Sequence, residues 1–585
     1  MKKVPIGVDN FHKLVTGGYL FCDKTAMIAE FLSKGEEVTL ITRPRRWGKT
    51  LNMSMLLHFF AAEVYGIKTA GLFDHLQISF LEGGRYIREH QGQAPVIMVS
   101  FKDIHADDFQ GAYESIYLLI KQLYGSYEYL LKSDCMNSNQ KNEFQAILDK
   151  VANQQQLEKS LQLLSACLYQ HHGKQVYIFI DEYDTPLNQA YEQKDYLDAL
   201  VKFMRNWFSA GLKGNNALQR GVLTGILRVS KDSMLSGLNN LETYTLLDNE
   251  YSSCFGFSEA EMRALFVQQG VSVDFDQVQG WYNGYTSGDA IAYNPWSILS
   301  CINRSGRFDV YWVNTGNNNL IKDRIFRAQA GIKAQFEQLM EGTSIQVSIN
   351  KHLAFDLLEQ DETALWSLLL FAGYLKAESV CLSDSTDLYD CQVAIPNNEI
   401  QRLYNHFFKE WLSREFSYQA QYDSFLKHLA SGKVALFMRD LSGYLLQSAS
   451  SFDVTGSAKS EGFYHGFVLA LLASLRTTHV IRSNRESGFG RYDLLLVPKN
   501  ETNDIGLLLE FKHVKKEEPI EAAARSALGQ IQARAYHAEL LQPLSPGGSG
   551  SRDCLFRQSR GGCVCDVCFY NQAAWSVACN APVWA

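Results

Sequence analysis

Four short apolar runs in the N-terminal half of the sequence constrain the fold more than any other feature. Each has the length and composition of a buried strand, and segments with helical periodicity, such as Leu51–Ala62 and Leu157–Tyr169, separate the first three. Strands that alternate with helices run parallel in a sheet covered on both faces. An α/β domain is therefore predicted. The runs are Val38–Thr42, Val96–Phe101, Val176–Ile180 and Gly221–Ile226.

Further domains are expected, because 585 residues exceed what one hydrophobic core supports. After about residue 305 the pattern becomes mostly helical, and a stretch rich in Ser, Gly and Thr, Ser448–Ser460, marks a boundary. A compact unit follows, in the order helix, two extended runs and helix. The predicted domains are an α/β domain at 1–304, a helical middle region at 305–450, a C-terminal α/β domain at 451–542 and a tail at 543–585.

The tail differs from the rest of the chain in composition. It contains five of the twelve cysteines, no lysine, and no strand or helix pattern long enough to place it. An unrelated or out-of-frame C-terminus is the favoured explanation. The alternative is a zinc knuckle at Cys563-x-Cys565-x-x-Cys568, but structural zinc requires four ligands, usually from two such turns. The sequence supplies one turn, so no zinc site is predicted.

Charge and hydropathy exclude some classes of protein. No apolar run approaches the roughly 20 residues that cross a bilayer. The N-terminus has no apolar segment typical of a secretory signal. The other seven cysteines are scattered singly, as in a reducing compartment. We expect a cytoplasmic protein without a membrane partner. The net charge of −8 predicts no global nucleic-acid affinity, although a local basic patch is compatible with it.

A phosphate-binding loop is predicted after the first apolar run. The sequence Arg43-Pro-Arg-Arg-Trp-Gly-Lys-Thr50 joins a strand to the start of a helix. Such a turn offers phosphate the backbone N–H groups of the loop and the positive end of the helix. Lys49 would reach the outer phosphates and Thr50 would bind Mg²⁺. Arg46, Trp47 and Gly48 complete the predicted ATP contacts, although Arg43 replaces the usual first glycine.

A second half-site strengthens this prediction. The strand Val176–Ile180 is followed by Asp181 and Glu182. Asp181 would hold magnesium and Glu182 would polarise the attacking water. The alternative is a strand whose acids enter a solvated loop. Thr224, near the end of the fourth run, would sense the γ-phosphate. Arg228 would act as an arginine finger, or would be an ordinary surface or ion-paired arginine, which we favour.

Several motifs together resemble a bacterial AAA-ATPase-like family whose members often carry a C-terminal PD-(D/E)xK nuclease-like domain. They include Arg43–Leu51, Ile180–Pro186, Ser236–Asn240, Trp281–Tyr285 and Tyr293–Trp296. The resemblance covers roughly residues 1 to 540. It implies an AAA-like P-loop fold, in which the arginine-rich loop replaces the first glycine. Members of such families often assemble into rings, so a homo-oligomer is an expected partner state.

The C-terminal domain contains a candidate nuclease site. Asp493 lies in the extended run Tyr492–Val497. Glu510 and Lys512 lie two residues apart in the next run, Gly506–His513, so these two share a face of the strand. Asp493 and Glu510 would hold Mg²⁺ and Lys512 would orient the attacking water. Glu461, Gln530 and Tyr536 are weaker candidates. The order of elements resembles the PD-(D/E)xK core, but the tail replaces the family's last strand and helix, which predicts an exposed sheet edge.

These features predict an ATPase coupled to a metal-dependent nuclease that acts on DNA or RNA. The alternative is a nucleotide-dependent switch whose C-terminal domain only binds nucleic acid or a protein. A third possibility is a degenerate ATPase that binds ATP without turnover. The nuclease candidates Asp493, Glu510 and Lys512 distinguish the first two hypotheses.

Overall fold

The structure is a computed structural model. Its described residues form two compact units, residues 1–324 with 344–400 and residues 325–343 with 401–585. The described residues are 2–193, 196–228, 234–235, 237–312, 321, 324–325, 330–340, 342–352, 361–415, 424–428, 433, 436–437, 439–440, 472, 479–483, 486–487, 490–491, 494–498, 507–513, 565–571 and 574–579.

A five-stranded parallel sheet forms the centre of the first unit. Its order is β4-β5-β6-β1-β7, and every neighbouring pair runs parallel. β1 and β5 are buried along their whole lengths, as expected for strands covered on both faces. The strands are β1 Val38–Thr42, β2 Glu63–Val64, β3 Ile67–Lys68, β4 Val96–Ser100, β5 Val176–Asp181, β6 Leu218–Gly225 and β7 Leu241–Tyr244, of which β2 and β3 form a separate hairpin.

Helices connect these strands. The buried side of α11 includes Phe203 and Trp207, and Trp207 contacts Phe101 just after β4. The helices in this part of the chain are α1 Phe11–Thr16, α2 Ala26–Ser33, α3 Lys49–Phe60, α4 Gln77–Phe80, α5 Arg85–His90, α6 Phe109–Gly125, α7 Ser138–Leu148, α8 Gln154–Glu158, α9 Ser160–His172, α10 Thr185–Gln193 and α11 Leu197–Leu212, with short 3-10 helices at Leu81–Gly84 and Glu128–Lys132.

The predicted α/β class is confirmed, and the four apolar runs are β1, β4, β5 and β6. The sequence pattern missed β7, which follows the polar turn Asn239–Asn240 and has two polar residues, Glu and Thr, in its middle instead of a continuous apolar run. β7 lies at the edge of the sheet, beside β1. An edge strand needs less apolar sequence than a central one, because neighbouring strands cover one side of it only.

The rest of the first unit combines helices with small antiparallel sheets. Tyr282 and Tyr293 lie in an apolar cluster, with Trp281 and Trp296 packed against it, so these aromatic residues contribute to core packing. The three-stranded sheet β10-β12-β11 was not predicted within the helical middle region. The elements are α12 Glu259–Gln269, α13 Phe275–Tyr282, β8 Tyr285–Ser287, β9 Ala290–Ala292, α14 Pro295–Asn303, β10 Ile345–Ile349, α16 Glu362–Phe371, β11 Lys376–Leu382 and β12 Tyr389–Ala394.

The second unit contains helices and a mixed sheet of order β13-β16-β17-β18-β19. β18 and β19 come from the tail, and β18 pairs parallel with β17, so the exposed edge expected at β17 is wrong. The residues of α17 up to Ile400 belong to the first unit. The elements are α15 Ala330–Met340, α17 Asn398–Glu415, β13 His479–Ser483, β14 Glu486–Ser487, β15 Gly490–Arg491, β16 Leu494–Pro498, β17 Leu507–His513, β18 Cys565–Asn571 and β19 Ala574–Cys579.

Among the residues that the structure describes, every helix is too short or too polar to cross a membrane.

Candidate functional site

The loop between β1 and α3 has the backbone shape of an anion-binding turn. Gly48 lies immediately before α3 with a φ of 85°, and Arg46 has a φ of 64°. Glycine adopts the left-handed conformation without steric cost, whereas an arginine there is strained. A turn with residues of positive φ at the N-terminus of a helix can direct successive N–H groups into one concavity. The local backbone therefore fits the predicted phosphate loop.

Lys49, the first residue of α3, is buried within this turn. Its side-chain ammonium donates to the carbonyls of Arg43, at 3.1 Å, and Pro44, at 3.0 Å. Burial lowers the pKa of Lys49, while the negative charges of Glu182 and Asp181 oppose that effect. The effect of these carboxylates indicates that the ammonium of Lys49 lies near the end of β5. An ammonium held by neutral carbonyls can exchange them for phosphate oxygens, which form stronger charge-assisted hydrogen bonds.

Asp181 connects β5, β6 and α3 at the carboxyl ends of the parallel strands. The hydroxyl of Thr50 donates to Asp181 Oδ2 at 2.7 Å, and the hydroxyl of Thr224 donates to Oδ1 at 2.6 Å. This contact follows from the strand order, because β6 lies between β1 and β5. The side chain of Asp181 is fully buried, and burial raises its pKa despite the two hydroxyl donors. A cation beside the carboxylate would reverse that shift.

Glu182 directly follows Asp181 at the carboxyl end of β5. Its φ is 51°, so the chain turns sharply directly after Asp181. The side chain is only partly buried, and Thr185 donates its hydroxyl to Glu182 Oε2 at 3.3 Å. A partly exposed carboxylate next to a buried one is suited to contact water while its neighbour holds a cation.

Tyr183 and Asp184, which were not predicted as site residues, hold the backbone at the end of β6. Asp184 accepts the backbone N–H groups of Ile226 and Leu227, at 2.9 and 3.1 Å, and Tyr183 donates its hydroxyl to the carbonyl of Leu227. Gly225 is required between them, because a Cβ there would lie 2.6 Å from the Tyr183 ring. These bonds fix the backbone that precedes Arg228.

Arg228 is half-buried at this position. Burial lowers its pKa, whereas Tyr183 and Glu242 act in the opposite direction. The role of Arg228, as an arginine finger or as an ion-paired arginine, stays a prediction.

Arg43, which replaces the usual first glycine of the loop, is fully buried and faces away from the phosphate turn. Its guanidinium donates to the carbonyls of Thr42, Tyr244 and Glu250, at 2.8, 3.3 and 3.3 Å. It also lies over the ring of Phe255, at 5.3 Å from the ring centre. Burial lowers the pKa of Arg43 to about 10, so the side chain stays charged at neutral pH. Arg43 therefore connects the loop to the segment after β7.

The outer side of the loop is covered by aromatic residues. The indole of Trp312 donates to the carbonyl of Arg45 at 3.0 Å. The guanidinium of Arg46 lies 4.3 Å from the ring centre of Trp296. The side chain of Trp47 is buried edge-on against Tyr285. Of the predicted ATP contacts, Trp47 would therefore act through its main chain, while Arg46 is exposed.

The residues at this edge fit a magnesium–nucleotide complex. A threonine hydroxyl and a carboxylate are hard oxygen donors, and Mg²⁺ usually takes one or two protein ligands together with phosphate oxygens and water. Within the described part of the chain, groups of three or more His, Cys, Asp or Glu able to hold a metal are absent. Thr50 and Asp181 are thus the residues that would hold magnesium, while Lys49 would contact the phosphates.

Two of the nuclease candidates, Glu510 and Lys512, lie in a described strand of the second unit. The two extended runs are the antiparallel strands β16 and β17, with Leu494 opposite Leu509. Glu510 and Lys512 both lie in β17, and their role in a nuclease site stays a prediction. Asp493, Glu461, Gln530 and Tyr536 lie outside the described residues.

Two families of known proteins match these two parts of the chain. The family described as predicted AAA-ATPase matches residues 5–235, which include every proposed nucleotide contact. The PD-(D/E)XK nuclease superfamily matches residues 459–545, which include every nuclease candidate.

One relative aligns over nearly the whole chain. The chain is 25% identical over 547 residues to an uncharacterized protein in the vnfD 5' region of Azotobacter chroococcum mcd 1, and the match covers 92% of this chain and 93% of that protein. No solved structure matches significantly. Residues 5–235 thus belong to the AAA-ATPase-like family, and residues 459–545 belong to the PD-(D/E)XK nuclease superfamily.

Proposed function

We propose that the first unit binds and hydrolyses Mg·ATP, and that this cycle controls a metal-dependent nuclease activity of the C-terminal domain on DNA or RNA. The observation that carries the ATP site is the convergence of Thr50, Thr224 and Asp181, which come from three separate parts of the chain, beside the buried ammonium of Lys49. A buried carboxylate that accepts two threonine hydroxyls beside a lysine is suited to hold a metal ion bound to an anionic ligand.

Each residue would have a distinct role. Lys49 would transfer its hydrogen bonds from the loop carbonyls to the β- and γ-phosphates. Thr50 and Asp181 would hold Mg²⁺, which neutralises phosphate charge. Glu182 would accept a proton from the attacking water, and Thr224 would keep Asp181 oriented. Asp493 and Glu510 would hold the metal of the nuclease site, and Lys512 would orient its water.

ATP binding is tested with Lys49→Ala. We expect the affinity for a fluorescent ATP analogue to fall by about 10- to 100-fold, because charge-assisted hydrogen bonds to phosphate are lost. Lys174→Ala is the matched control, since Lys174 is an exposed lysine that donates to Gln93 outside the site. Equal affinity in the wild type and Lys49→Ala would show that the loop is not a nucleotide site.

Hydrolysis is tested with Glu182→Gln. We expect a loss of about 10²- to 10⁴-fold in turnover with nearly unchanged ATP affinity, as for removal of a general base. If the wild type binds ATP without turning it over, and Glu182→Gln changes neither property, the protein is a degenerate ATPase.

The nuclease part of the proposal is tested with Glu510→Gln and Lys512→Ala in the full chain. We expect the wild type with Mg²⁺ and ATP to cut single- or double-stranded DNA or RNA, and both variants to lose this activity. If the wild type binds ATP but cuts none of these substrates, the alternative switch function replaces the nuclease.

A further inference from the structure

Glu399 is a buried carboxyl group with three hydrogen-bond donors. It is the second residue of α17 and only 1% exposed. Its Oε2 accepts the hydroxyl of Ser297 in α14 at 2.7 Å, and its Oε1 accepts the backbone N–H groups of Tyr311 and Trp312 at 2.5 and 2.6 Å. Burying a carboxyl group costs free energy unless it is well hydrogen-bonded. The three bonds make this carboxyl group an anchor for the backbone at Trp312.

Trp312 connects that anchor to the phosphate loop. Its indole N–H donates to the carbonyl of Arg45 at 3.0 Å, and its ring packs against Tyr374 with the ring centres 5.2 Å apart. Trp312 is 3% exposed, so water does not compete readily for this bond. The position of the indole depends on the backbone that Glu399 holds.

The bond to Arg45 also orients the N–H group of the next residue. A trans peptide is planar, and its carbonyl and N–H groups point in opposite directions. The carbonyl of Arg45 is directed at Trp312, so the N–H of Arg46 is directed away from that indole. Arg46 and Gly48 have positive φ values, which are typical of turns whose N–H groups converge on an anion. A loop with this peptide already fixed needs less ordering when phosphate binds.

We propose that Glu399 is a positioning residue for ATP binding, which acts through Trp312 on the backbone of the phosphate-binding loop. This inference rests on the proposed ATP site. It also links the first turn of α17 to that site, because Glu399 lies in that turn and acts on the loop through Trp312. Any partner or nucleic acid that displaces the start of α17 would then change ATP affinity, and ATP would change the affinity for that partner by the same factor.

Affinity measurements test the link. We expect Trp312→Phe, which keeps the ring but removes the N–H donor, to weaken binding of a fluorescent ATP analogue by about 3- to 10-fold. Glu399→Ala should weaken it similarly, and Glu399→Gln, which retains an acceptor oxygen, should recover most of that loss. Trp207→Phe is the matched control, since the buried indole of Trp207 donates to Ser160 away from the loop.

The double variant Glu399→Ala/Trp312→Phe separates positioning from general destabilisation. If both residues act through the hydrogen bond from Trp312 to Arg45, the ATP affinity of the double variant should be close to that of the single variant with the lower affinity. The reason is that coupled effects do not add. Wild-type affinity in Trp312→Phe overturns the inference, and so do additive losses in the double variant. If Glu399→Ala does not fold, the inference is tested by comparing the ATP affinity of Trp312→Phe with that of Trp207→Phe. If the wild type itself binds no ATP, the proposed ATP site fails as well, which is a distinguishable result.

Discussion

Replacing Arg43 by glycine would restore the usual glycine of a phosphate loop, yet we expect it to destabilise the protein. The substitution removes three carbonyl contacts, the contact with Phe255 and the volume of a buried side chain. The expected loss in the free energy of unfolding is about 4 kcal/mol. It combines three lost hydrogen bonds at about 1 kcal/mol each, a buried cation–π contact and the extra chain entropy of glycine in the unfolded state.

This free energy can be converted into a melting shift. The first unit spans residues 1–324 and 344–400, or about 380 residues. With an unfolding entropy of about 2.1 cal/mol/K per residue, a loss of about 4 kcal/mol lowers the Tm by about 5 °C. Thermal unfolding of the full chain, followed by tryptophan fluorescence, measures the shift.

Arg46→Gly is the matched control from the same loop. Arg46 is exposed and has a φ of 64°, so glycine relieves backbone strain of about 1 kcal/mol while the cation–π contact with Trp296 is lost. The two effects nearly cancel, and the Tm should stay within about 2 °C. If Arg43→Gly melts like the wild type, or above Arg46→Gly, the structural role assigned to Arg43 is wrong.

Three further predictions follow from the buried groups of the first unit. Burial raises the pKa of Glu399 from 4.5 to about 7, so the folded chain keeps a proton that the unfolded chain releases, and stability should fall between about pH 4.5 and 7 by at most about 3 kcal/mol. Glu399→Gln should flatten this part of the Tm–pH curve; an unchanged slope contradicts the assignment. Gly48→Ala forces a side chain into a φ of 85° and should cost about 1–2 kcal/mol in urea unfolding, whereas a neutral result would mean that the loop has another backbone shape. Asp184→Ala leaves the N–H groups of Ile226 and Leu227 without their acceptor and should cost about 2–4 kcal/mol, with Asp184→Asn closer to the wild type; equal stability of all three proteins would rule out this role.

The sequence allowed the main elements of the proposed ATP site to be predicted because their signals are local. Apolar runs identify β1, β4, β5 and β6, and the residues that follow β1 and β5 lie at one edge because parallel strands end together. The residues Lys49, Thr50, Asp181 and Thr224 could therefore be grouped before any coordinates.

Other features depend on contacts between residues far apart in sequence. Trp312 and Arg45 are separated by 267 positions, and Glu399 and Trp312 by 87. No periodicity or spacing marks such pairs, since several buried aromatics and carboxyl groups could have filled the same places.

The sequence by itself determined the parallel α/β core and the order of the two half-sites along the chain. The tertiary structure decided which way Arg43 faces, where β7 pairs, and that the loop is anchored through Trp312 to Glu399. The physical reason is that backbone conformation and strand burial follow from neighbouring residues. By contrast, the partner of a buried polar group is chosen by packing of the whole unit, which must satisfy every such group away from water.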